Sequence, residues 1–146
     1  MYTGLLHLHN VLRWVILLLL IVALFQALMK KEGIQKSSLW LLIAAHITFL
    51  LGLYQYFTSE VVGYVLIERV GGFGNVMKDS FARFWAVEHI AAMIIAVGLI
   101  TVARRKAKAL NYNAALWLYL IALIFILAAV PWPFREAIAR PWFPGL

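Results

Sequence analysis

Four histidines, His7, His9, His46 and His89, are the side chains with the clearest capacity for chemistry in this chain. Neutral imidazole ligates haem iron, copper or zinc. There is no cysteine, so disulfides, iron–sulfur clusters and thiolate zinc sites are excluded. The one aspartate, Asp79, falls in a polar stretch, so a buried Ser-His-Asp hydrolytic set finds no acid. Each histidine also has a plainer reading, as a hydrogen-bond donor between neighbouring helices.

The elements that position these rings follow from composition. Of 146 residues, 65% are hydrophobic and 13% charged, and the mean hydropathy is +0.91. A soluble domain carries about twice that charge, and a chain this small cannot hide so much apolar surface in one core. A membrane-spanning helix needs ~20 apolar residues. Four segments qualify: Leu5 to Met29, Leu39 to Phe57, Trp85 to Val102 and Ala114 to Val130. They predict an all-α, integral membrane four-helix up-down bundle, a single transmembrane domain over residues 1–146. Ser37 and Ser38 are candidate N-caps for the second helix, and Pro131 ends the fourth. No basic residue precedes the first segment, and no cleavage pattern follows it, so it reads as a retained helix.

The net charge of +7 arises from 13 Lys+Arg against 6 Asp+Glu. Seven of the 13 sit in two loops: Lys30, Lys31 and Lys36, then Arg104, Arg105, Lys106 and Lys108. By the positive-inside rule those loops face the cytoplasm, and both termini face the periplasm. The charge is thus a topology signal and not a nucleic-acid surface. A middle loop, Thr58 to Arg83, has soluble-like composition, and its Gly71-Gly72-Phe73-Gly74 reads as a flexible turn. The tail from Pro131 to Leu146 mixes tryptophan, phenylalanine and arginine, the composition of a short interfacial segment.

Depth limits which histidines can meet. With the third helix centred near Ile94, His89 lies ~7 Å toward the outside, while His46 is ~3 Å inward of the second helix's midpoint. His9 lies near the outer boundary of the first helix, and His7 lies beyond it. Both His46–His89 and His9–His89 pairings stay open. Small residues accompany the candidates: Ala92 and Ala96 after His89, Ala44 and Ala45 before His46. Arg13, one turn inward of His9, is in reach of a carboxylate such as a haem propionate or Glu88. Glu88 itself stands beside Arg83 and reads as a pairing carboxylate.

Leu8-His9-Asn10-Val11-Leu12-Arg13-Trp14 and Phe84-Trp85-Ala86-Val87-Glu88-His89 resemble the histidine-bearing helices of small bacterial four-helix membrane cytochromes b. The resemblance implies haem b in the bacterial inner membrane, with electrons passing between a quinol and a partner near the outer face. It carries over His9, His46 and His89 as candidate axial ligands. The fourth helix has no histidine, unlike di-haem members, so at most one bis-histidine haem is supported. Two other functions are carried. One is a copper or other metal site built from His7, His9 and His89 with Met93. The other is a cofactor-free accessory subunit of a larger membrane complex, in which the histidines only pack. A homodimer suits any of these, since four helices alone expose much surface.

Overall fold

The computed structural model describes residues 2–143, and these are all-helical. Four helices are long and apolar enough to cross a membrane. They are α1 (Tyr2–Leu28), α2 (Ile34–Thr58), the continuous helix Ser80–Lys108, and α7 (Tyr112–Ala129). The short helices α3 (Val65–Arg69) and α4 (Phe73–Val76) lie between the second and third of these. Ser80–Lys108 is itself composite: α5 (Ser80–Arg83), a π turn (Phe84–Glu88) and α6 (His89–Lys108). α2 packs on α1 and α6, α7 packs on α6, and α1 closes against α7.

The seams are lined by small residues. Ala23, Ala27, Ala44, Ala45, Ala96, Ala103, Ala107, Ala115 and Ala122 are all buried. Leu18, Phe25, Trp40, Leu50, Trp117 and Ile124 point outward. Small residues inside and large apolar ones outside suit helices that associate in lipid, where close backbone approach replaces the hydrophobic drive.

The two basic ends are built alike. Lys30 takes φ 52° after α1, so that Lys31 N–H reaches the Gln26 carbonyl at 2.8 Å. Leu110 takes φ 54° after α6, and Asn111 N–H reaches Lys106 at 2.9 Å. Both are Schellman closures, which satisfy last-turn carbonyls and reverse the chain within a few residues. The turns meet at one end of the molecule: Gln35 donates to the Lys108 carbonyl, and Arg104 donates to Gln35 O and Ser38 Oγ.

Two boundaries depart from the sequence expectation. α2 begins at Ile34, so Ser37 and Ser38 lie inside it and not at its cap. The tight turn after Lys30 leaves no slack to delay the helix. Ser37 instead donates to Gln26, and Ser38 to the Gln35 carbonyl. The middle loop is largely helical. Leu66, Val76, Ala82 and Ala86 form a small second core there, under Val70, Phe81 and Trp85. Gly71, at φ 82°, closes α3 as Gly72 N–H bonds the Ile67 carbonyl, so this glycine pair is a helix stop. Asp79 then caps the third long helix, its side chain accepting from Ala82 N–H at 2.7 Å.

Gly63 fixes the exit from α2. It has φ +83°, and a Cβ there would lie 2.5 Å from the Tyr56 carbonyl oxygen. Gly63→Ala is expected to cost at least ~2 kcal/mol through strain and collision, read by thermal unfolding followed by circular dichroism.

Candidate functional site

At the end away from the lysine-rich turns, four helices contribute to one layer. His9 is as far from Leu28 as His89 is from Lys108, ~28 Å along the helix axis in each case. That common depth brings the two rings within electrostatic range of one another.

The half-buried His9 ring reaches across to α2, with Nδ1 3.2 Å from the Thr48 carbonyl. A carbonyl only accepts, so Nδ1 carries the proton and Nε2 keeps its lone pair. The absence of a side chain at Gly52 makes room: His9 Cε1 is 3.1 Å from where a Cβ would stand. Thr48 turns its own hydroxyl back to the Ala44 carbonyl at 2.7 Å.

His89 takes a carbonyl that a proline far off in sequence leaves without a backbone donor. Within α7, the carbonyls of Leu127 and Ala129 would pair with the N–H groups of residues 131 and 133. Both are proline and have none. Trp132 Nε1 takes the Leu127 carbonyl at 2.8 Å, and His89 Nδ1 takes that of Ala129, also at 2.8 Å. Arg135 covers the carbonyl between them, Ala128, at 2.7 Å. His89 Nε2, like that of His9, has no hydrogen-bond partner among the described residues.

The π turn sets the direction of the His89 ring. His89 N–H bonds the Phe84 carbonyl, five residues back, and the wider turn leaves the Ala86 carbonyl accepting from Tyr56 Oη at 2.9 Å. Single π turns of this kind re-aim side chains and recur at functional sites. Phe84 and Trp85 flank the ring at centroid distances of 5.9 and 5.8 Å.

The other candidates lie elsewhere. His46 is exposed on the outside of α2 and bonds the Leu42 carbonyl of its own helix, so it does not join the pair. His7, two residues from His9, projects to the other side of α1. Met93 packs on the main core. Among the described residues no group of three His, Cys, Asp or Glu side chains comes together, so the structure does not assemble the copper set. Glu88 pairs with Arg83 at 2.7 Å and leaves Arg13 alone. Arg13 Nη2 donates to the Trp142 carbonyl at 2.9 Å, and the guanidinium sits 5.1 and 5.9 Å from the rings of Trp14 and Trp132. Trp142 and Phe143 thereby fold back over α1, so the aromatic tail lies against the helices. Pro144 to Leu146, the last part of the expected interfacial segment, lie outside the described residues.

Sequence reasoning missed several neighbours. Asn10 Oδ1, Gln55 Nε2 and Trp85 Nε1 are buried at this end of the molecule without a partner among the described residues. Gln55 is on the same face of α2 as Gly52, one turn outward. Polar residues inside apolar spans were the signal available for Asn10 and Gln55.

The result is two imidazoles from different helices, each anchored at Nδ1 to a carbonyl and open at Nε2. Backbone anchoring of this kind fixes the tautomer and orientation of a ligating histidine. A bare zinc or copper ion would want further protein donors, whereas a porphyrin iron takes only its axial ligands from the chain. Two imidazoles with free Nε2 atoms are the donor type that a haem iron would take from a chain. Neither a known protein family, nor a curated protein, nor a solved structure matches this chain.

Proposed function

We propose that the chain is a membrane haem b protein that carries electrons, with His9 and His89 as the axial ligands. The observation that carries this reading is the pair of Nδ1-anchored rings with free Nε2 atoms at one depth on different helices. Bound haem would supply a one-electron couple, its potential tuned by ligand type and burial. The chain's own work is orientation: the Thr48 and Ala129 carbonyls hold the rings, and Phe84 and Trp85 shield His89 from lipid and water. The four long helices form an up-down bundle in the bacterial inner membrane, with the lysine-rich turns cytoplasmic and both termini periplasmic. The histidine layer then lies toward the outer face, where a quinol and a redox partner, or a larger membrane complex, would exchange electrons with it.

A cofactor-free accessory subunit is the second reading, favoured by one observation. Both Nδ1 bonds also work as straps between helices, α1 to α2 and α6 to α7, with no ligand required. A reduced-minus-oxidised absorption spectrum of protein purified after haem-sufficient expression separates the two. The haem reading expects b-type bands at about one haem per chain. Their absence, after reconstitution with haem as well, leaves the accessory reading.

A further inference from the structure

Arg13 carries a permanent positive charge in an apolar helix, and no carboxylate among the described residues meets it. Its Nη2 reaches a carbonyl, and its Nε is buried with no acceptor among the described residues. Carbonyl and indole contacts solvate a guanidinium but do not neutralise it, and a charge at an apolar boundary favours an anion alongside.

A groove of about 390 Å³ runs inward from this point, between α1 and α7. Leu18 and Ile21 line one wall and Leu123 and Leu127 the other, with Trp14 and Trp132 at its outer end. The Arg13 guanidinium lies over both tryptophans. An amphiphile would match this arrangement, with an anionic head on Arg13 and an apolar chain along the leucines. An anion alone leaves the groove unfilled, and an uncharged lipid leaves Arg13 unanswered.

The geometry points to a specific seat for one anionic phospholipid of the leaflet at this end, with its phosphate on Arg13 and part of an acyl chain between α1 and α7. Arg13 lies within electrostatic range of both His9 and His89, while the groove that would hold the acyl chain opens on the α1–α7 side. The tail carbonyl of Trp142 holds Arg13 at the groove's mouth, so the folded-back tail is part of the seat.

The test is native mass spectrometry of protein released from vesicles of phosphatidylcholine mixed with phosphatidylglycerol. Wild-type protein is expected to retain one phosphatidylglycerol with about tenfold preference over phosphatidylcholine, the scale of a charge-assisted hydrogen bond. Arg13→Gln should bring that preference close to parity, and Arg13→Lys should keep most of it. Leu123→Trp, which fills the groove and spares the charge, should lower retention of both lipids. Arg105→Gln/Lys106→Gln, at the opposite end, should change nothing. The proposal fails if the preference survives Arg13→Gln in a protein of normal helicity, or if the basic-end double variant removes it. If Arg13→Gln does not fold, unchanged retention in Leu123→Trp overturns the proposal by itself.

Discussion

On the haem reading, His89→Leu is expected to abolish b-type absorption, and on any reading to lower stability by about 1–3 kcal/mol, because it strands a buried carbonyl. The second effect follows from Pro133, which leaves Ala129 O with no backbone donor and only the imidazole 2.8 Å away. His89→Gln separates the two roles. Its amide N–H can restore the bond to Ala129, returning stability to within ~1 kcal/mol of wild type, but an amide is a poor axial ligand. The haem reading therefore expects glutamine to recover the melting transition and not the spectrum. Haem content and thermal unfolding by circular dichroism, measured on the same preparations, check this. A protein in which the leucine variant keeps its full haem content would remove His89 from the ligand set.

Gly52→Val carries the second large effect. A Cβ at this position already lies 3.1 Å from His9 Cε1, and two further methyl groups would extend into the space of the ring. The imidazole must leave the Thr48 carbonyl or the helices must part, at about 1–3 kcal/mol. With His9 turned away, the haem reading expects haem content to fall severalfold although no proposed ligand has been substituted. Gly98 is the control. Nothing lies within 4 Å of a Cβ placed there, so Gly98→Ala should gain about 0.5–1 kcal/mol from helix propensity and leave the spectrum alone. Equal haem content in the Gly52 and Gly98 variants would dissociate His9 from the site.

How far the site could be read in advance differs from residue to residue. The Arg83–Glu88 pair is local, five residues apart on one helical surface, and its reading as a pairing carboxylate agrees with the structure. Residue type did not separate His46 from His9, and His89 lay at a depth between the two, so depth left either one open as its partner. What separates them is rotation about α2. Ala45 and Thr48 face the seam while His46, one residue round, faces out, and that rotation is set by which face packs on α1 and α6. Spans as apolar all round as these give almost no periodic signal to orient them. The helical cap between α2 and the third long helix was missed for another reason. Its elements are four or five residues long, too short to show a period, and they are held by a shared small core.

By itself the sequence determined the four apolar spans and the clustering of basic residues at two turns. Backbone groups in lipid must bond within their own helix, so a long apolar run has few alternatives. Tertiary structure alone decided that His9 meets Gly52, and that His89 meets a carbonyl forty residues away, released by a proline. Helix formation is settled by neighbours along the chain. The pairing of imidazoles depends on the rotation and register of separate helices, which only their packing together establishes.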